Sequence, residues 1–262
     1  MEVSCFYPHL EIQVVEHCNL NCASCTHFSS IAKEKFVDKK SFYEQLEKAY
    51  VIFKDYAKSL KIMGGEPLLH PELTELLILA RQAMPEMKIT LQTNGILLNQ
   101  MSEEFWKVCH KYDIFIRITR YPVKLDISEI YEIAQKYCVN IKCHPSENII
   151  KSFNKYPLSV LGENVATESY EKCKIKQRYV VIKEGRLYPC PIVANIEHFN
   201  TAFGKNLMRK DADSIELDSV NQINEYFDFA NKCIAFCKYC KAGEYEREIG
   251  WKTSNKTIDE WV

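Results

Sequence analysis

The chain has 262 residues, 47% of them hydrophobic, and a formal net charge of −1. That is enough for one large α/β domain or a barrel with a small appendage, and the interspersed acids and bases argue against nucleic-acid or membrane-surface binding. No apolar run approaches the ~20 residues of a membrane span, and MEVSCFYPHLE lacks the basic and apolar regions of a secretion signal.

From residue 10 to about 145, strand-like and helix-like patterns alternate. LEIQVVEHC (10–18) is a β-rich run ending at a cysteine. SFYEQLEKAYVIFKDYAKSL (41–60) has helical spacing, with Ser41 as N-cap and Glu44 completing a capping box. LKIMGGEP (60–67) is a strand closed by a Gly-Gly turn, and PELTELLILARQAM (71–84) opens with a first-turn proline. KITLQTNG (88–95), IFIRITRYP (114–122) and NIKCHP (140–145) read as strands; 102–113 and 127–138 read as helices. Such alternation predicts βαβ units and a parallel sheet, either a barrel or an open doubly wound sheet. A sixth barrel strand is expected within 147–161. RYVVIKEGRLYPC (178–190) reads as a hairpin turning at Glu184-Gly185, and 218–233 as a helix. A boundary near 160 divides the chain into 1–160 and 161–262.

Active residues of parallel α/β folds gather at the C-terminal ends of strands. Cys18, Gly64, Asn94, Arg120 and His144 all stand at such ends. The stretch CNLNCASC spaces Cys18, Cys22 and Cys25 as C-x3-C-x2-C. Three thiolates from one short loop grip three corners of an iron–sulfur cluster and leave a metal position open for chemistry. The alternative is a zinc knuckle closed by His17, His27 or another cysteine. MGGEP (63–67) places two glycines and a carboxylate on the next strand, where Glu66 can accept a bond from an ammonium group.

Together these motifs resemble the radical S-adenosylmethionine (SAM) superfamily over roughly residues 10–145. The resemblance implies a partial (β/α)6 TIM-like barrel and a [4Fe–4S] cluster on Cys18, Cys22 and Cys25, with SAM on the fourth iron. It implies further that Gly64, Gly65, Glu66 and Pro67 contact the methionyl amino group, that Thr93 and Asn94 meet the ribose or methionyl part, and that Arg117 or Arg120 reaches the SAM carboxylate. The family often has an aromatic residue before the third cysteine. Here Ser24 stands there, and Phe28 or His27 is expected to take over the adenine contact. CIAFCKYC (233–240) repeats the spacing without a strand before it or GGEP after it, so the first copy is read as the SAM site.

Cys173, Gly185 and Cys190 resemble the opening of the auxiliary-cluster domains called SPASM and twitch. The shorter twitch form implies one further [4Fe–4S] cluster on Cys173, Cys190, Cys237 and Cys240, with Cys233 spare or replacing Cys237; a structural zinc site is the alternative. Isolated Cys5, Cys109, Cys138 and Cys143 are expected to be buried small hydrophobes.

The resemblance implies an oxidoreductase that abstracts hydrogen from a small polar substrate, such as a sugar, aminocyclitol or nucleotide derivative. A peptide maturase, an epimerase using Cys143, or a non-catalytic metal-bound module are the alternatives. Arg120, Tyr121, His144 and Arg178 are candidates for substrate contacts. A flavodoxin or ferredoxin donor and a cytoplasmic location are expected from the redox chemistry. The polar tail 243–262, with two tryptophans, either caps the barrel or forms part of an interface.

Overall fold

The computed structural model describes residues 9–144, 149, 152–176 and 179–262. Its first half alternates β1 (His9–Val15), α1 (Lys39–Phe53), β2 (Ser59–Gly64), α2 (Leu73–Ala83), β3 (Lys88–Thr93), α3 (Glu103–Lys111), β4 (Ile114–Thr119), α4 (Ile127–Lys136) and β5 (Ile141–His144). All five strands are parallel and adjacent in sequence order. The helices begin at acceptors that satisfy otherwise orphaned amides: Ser102 Oγ accepts from Phe105 N and Asp126 Oδ1 from Glu129 N. Helix α1 departs from expectation. Asp38 is its N-cap and accepts from Ser41 N, so the helix starts before Ser41, whose hydroxyl instead accepts from Gln45 Nε2.

The period of two along each strand separates the faces. Leu10, Ile12, Leu60, Ile62, Ile89, Leu91, Ile116 and Ile118 pack with the helices in one buried cluster. The intervening Glu11, Lys61, Gln92 and Arg117 face a cavity instead.

Among the described residues of 147–161 there is no sixth parallel strand. There β6 (Ser152–Lys155) pairs antiparallel with β10 (Glu246–Gly250) as a separate ribbon. Instead β7 (Tyr179–Lys183) docks parallel to β1 on the flank away from β2. β8 (Arg186–Tyr188) and β9 (Ile215–Glu216) extend the sheet beyond it to eight strands, both pairings antiparallel. The β7–β8 hairpin turns where expected, with Glu184 and Gly185 at φ 50° and 72°, as a two-residue hairpin turn needs. The architecture is a mostly parallel α/β sheet of the partial TIM-barrel kind.

β7 joins two cores. Val180 and Ile182 enter the helix-side cluster; Val181 enters a second one with Phe28, Tyr188, Phe199, Phe236 and Trp261. A buried polar knot locks β7 to the end of β1: Lys183 Nζ donates to Glu16 Oε2 (3.1 Å), Asn195 Oδ1 (2.7 Å) and Glu197 Oε1 (2.6 Å). Burial alone would raise the Glu16 carboxyl, but His198 and Lys183 hold it down to about 2. Four further helices complete the second half: α5 (Ala166–Lys172), α6 (Pro191–Ala194), α7 (Ile196–Phe203) and α8 (Ile223–Ala230), the last shorter than the expected 218–233. Among the described residues no helix is long and apolar enough to cross a membrane.

Candidate active site

The loop after β1 carries Cys18, Cys22 and Cys25 and turns on left-handed residues at Asn21 and Ser24. It is laced directly to the end of β2: Gly65 N donates to Val15 O (2.7 Å) and Glu66 N to His17 O (3.1 Å). Glycine is required for that approach. A Cβ on Gly65 would lie 1.9 Å from His17 O, and one on Gly64 2.3 Å from Val15 O.

Glu66 then ties β2 to β3. Its carboxylate accepts from Thr93 Oγ1 (2.6 Å), Asn94 N (2.9 Å) and Leu68 N (3.1 Å). At 1% exposure its burial outweighs those bonds and pushes the carboxyl up to about 7. Asn94 Nδ2 donates to Asn19 Oδ1 (2.8 Å) in the cysteine loop. The C-terminal ends of three strands are thus held as one unit by their own polar atoms.

A cavity of about 390 Å³ opens above them. The three cysteines line it together with Gly64, Gly65, Glu66, Thr93, Asn94 and Arg117. Of the residues expected at substrate, Tyr121 and His144 line it as well, and Arg120 does not. Burial lifts the Cys18 thiol to about 11 and the Cys22 thiol to about 12, and it raises Cys25 also. Such thiols become thiolates when a bound metal supplies the compensating charge. His27 Nε2 and Ser30 Oγ are buried in the wall of this cavity, without a hydrogen-bond partner among the described residues. Among those residues no group of three or more His, Cys, Asp and Glu is placed to hold a single metal ion. Three thiols around an open space, beside orphaned polar atoms, fit a polynuclear cluster with an additional ligand.

The structure does not bring Phe28 to this cavity. It is buried at 1% exposure against Phe199 and Trp261 in the second core, whereas His27 reaches the wall. Pro67 opens a short 3-10 turn and is buried outside the lining. Cys143 is 2% exposed, accepts from Tyr131 OH at 3.6 Å and borders a different cavity. Cys109 is buried as expected, but Cys138 is exposed at a left-handed position after α4. Cys5 and Arg178 lie outside the described residues.

The C-terminal tail was legible only as a choice between a cap and an interface, and it proves to brace the cysteine loop. Trp251 Nε1 donates to Cys22 Sγ (3.2 Å) and Trp261 Nε1 to Cys25 O (3.0 Å). Ser24, standing where the resemblance leads one to expect an aromatic, donates its hydroxyl to Glu260 O (2.7 Å). Ala23 N to Lys252 O and Ser254 N to Asn21 O complete the clasp.

The second cysteine group is equally compact. Cys173, Cys190, Cys237 and Cys240 line one small cavity of about 50 Å³, walled by Ile175, Ile192, Ile234 and Phe236. Burial lifts Cys190 to about 12 and Cys237 to about 11, and Cys240 well above its ordinary value; the neighbouring thiols push each the same way. Cys233 stands near Cys237 but outside the lining. Tyr156 and Ile175 border both this cavity and the first.

Fold and site together define an α/β protein with a three-cysteine loop at the mouth of a partial barrel. The profile of the Radical SAM superfamily matches residues 12–128. Residues 12–128 are thus similar to that superfamily, whose cofactors are a [4Fe–4S] cluster and SAM. The chain is 25% identical over 189 residues to a GTP 3',8-cyclase of a Sulfurovum species, covering 68% of this chain and 56% of that protein. A GTP 3',8-cyclase of Campylobacter lari is 29% identical over 131 residues, covering 49% and 38%. The matched region thus spans about half the length of these curated relatives. Among solved structures, BtrN in complex with AdoMet and 2-DOIA shares the fold over 97% of both chains, with a TM-score of 0.51 and 18% identity.

Proposed function

We propose that this chain abstracts a hydrogen atom from a small polar molecule and oxidises it, with residues 1–160 as the SAM barrel and 161–262 as a twitch-like auxiliary-cluster domain. The observation that carries this reading is the convergence of Cys18, Cys22, Cys25 and Glu66 on one cavity. Cys18, Cys22 and Cys25 would hold the cluster that, with SAM, would supply reductive cleavage to methionine and a hydrogen-abstracting 5'-deoxyadenosyl group, and Cys173, Cys190, Cys237 and Cys240 would hold a second cluster that would supply an electron acceptor.

The protein's own groups bind, orient and exclude water. Gly64 and Gly65 let a ligand approach the backbone. Glu66, fixed by three donors, presents carboxylate charge to an ammonium group, and that charge would bring its raised pKa back down. Thr93 and Asn94 hold Glu66 in place, and Arg117 offers a guanidinium to a carboxylate. Tyr121 and Trp251, their rings 6.0 Å apart, shield the Cys22 side from solvent. Oxidation of a carbinol removes one hydrogen atom, one proton and one electron; His144, in the cavity wall, is placed to take the proton.

The substrate class, a sugar, aminocyclitol or nucleotide derivative, is supported by the polar barrel face of Glu11, Lys61, Gln92 and Arg117. The epimerase reading draws less support, because Cys143 borders another cavity. A low-potential donor such as flavodoxin or ferredoxin in the cytoplasm completes the proposal.

The test is anaerobic reconstitution followed by dithionite. Formation of 5'-deoxyadenosine, lost in Cys18→Ser, with about eight iron atoms per chain as two [4Fe–4S] clusters require, is the expected result. Zinc on the N-terminal cysteines, or no SAM cleavage, refutes it.

A further inference from the structure

A second cavity of about 700 Å³ opens on the same inner face of the sheet, reaching the starts of β1, β2 and β3. Five cations line it, Lys58, Lys61, Lys88, Arg117 and Lys142, and no Asp or Glu does. On a chain of net charge −1 such segregation is a local feature, not a reflection of composition.

The strand register creates it. Arg117 on β4 stands directly opposite Lys142 on β5. Like charges facing each other across strands are destabilising. Glu11 neutralises Lys61 at 3.1 Å, and Lys88 Nζ lies over the Phe115 ring at 4.6 Å. Neither Arg117 nor Lys142 meets a carboxylate among the described residues. His144, two residues beyond Lys142 on β5, feels the excess: burial, then Arg117, Lys61 and Lys142, lower its pKa.

We propose that this cationic cavity is a phosphate-binding site, taking the phosphate or diphosphate of a small anionic molecule. A planar guanidinium beside flexible ammonium groups is the donor set that phosphate oxygens recruit. Lys61, Arg117 and His144 line both this cavity and the first, so an anion held here sits directly below the space assigned to substrate. The inference deepens the proposed function and rests on it for the upper cavity: the molecule oxidised there carries its phosphate downward. A free phosphate or diphosphate bound on its own has the same chemistry.

The experiment is anaerobic calorimetric titration of the cluster-loaded full chain with inorganic pyrophosphate, and with a nucleoside diphosphate and a hexose phosphate. Lys88→Gln/Lys142→Gln is the test variant, and Lys54→Gln, an exposed lysine on α1's C-cap, is the control. Saturable pyrophosphate binding, weakened at least tenfold in the double variant and unchanged in the control, carries the site. Tighter binding of an organic phosphate than of pyrophosphate assigns the phosphate to substrate; equal binding assigns a free anion and removes the substrate step. No saturable binding, or equal loss in the Lys54 control, overturns the site. SAM cleavage by the unaltered protein is measured in parallel. Its absence with anion binding intact overturns the enzymatic reading alone.

Discussion

The indole Nε1 of Trp251 donates to Cys22 Sγ across 3.2 Å, joining residues 229 positions apart in the chain. Hydrogen bonds to cluster sulfurs tune reduction potential, because they stabilise the more negative reduced state. Trp251→Phe removes the donor and keeps an aromatic ring beside Tyr121. The expected result is a more negative midpoint potential for the N-terminal cluster, read by titration with electron paramagnetic resonance. An unchanged potential would show that this bond does not reach the cluster.

Gly65 is the tightest point of the site. Gly65→Ala sets a Cβ against the His17 carbonyl, which as backbone cannot swing aside. The cost is about 1–3 kcal/mol or more, typical of overpacking, and displacement of the cysteine loop should lower iron retention. Gly250→Ala is the companion, since nothing lies within 4 Å of its added carbon. Thermal melting and iron content of the two variants should diverge; equal behaviour would remove the steric argument.

Glu66 gives the cluster-free protein a pH signature. Its carboxyl titrates at 4.5 in the unfolded chain and at about 7 in the fold, raised by burial. Below 4.5 it is protonated in both states. Between 4.5 and about 7 the unfolded chain releases a proton that the folded chain keeps, so stability declines as pH rises through this window. Above it the loss is complete. Glu66→Gln should flatten this part of the stability profile in denaturant titrations, and an unaltered slope would show that another group is responsible.

Those three residues mark what was legible in sequence and what was not. The GGEP turn and the β1–β5 rhythm are local signals: caps, a period of two, and cysteines at fixed spacing all act within a few residues. Local signals also misplaced the start of α1, because Asp38 outcompeted Ser41 as acceptor. The Trp251 clasp and the docking of β7 on β1 join distant segments, and no periodicity announces a partner more than 160 residues away. The polar tail with its tryptophans was the one hint, and it did not specify what the indoles would meet. Phe28 stands away from the cavity for the same reason: it packs in a core assembled from Phe199 and Trp261. The cationic cavity needed strand register, which sets Arg117 against Lys142, before its lysines could be read as a group.

Register of the second cysteine group also decides between two neighbouring thiols. Cys237 lines the small apolar cavity with Cys173, Cys190 and Cys240, while Cys233 stands beside Cys237 and outside that lining. Cys237→Ala should therefore lower iron content by about four atoms, one [4Fe–4S] cluster, and Cys233→Ala should leave it unchanged. Cys237 N donates to Ile234 O and Ser169 Oγ donates to Cys240 O, so both ends of the 3-10 turn Ala235–Tyr239 that carries Cys237 are held. Iron and sulfide analysis of both variants, with Mössbauer spectra, is the measurement. Iron lost from the Cys233 variant and retained in the Cys237 variant would reverse the assignment, and zinc bound in place of iron would leave this second site without a redox role.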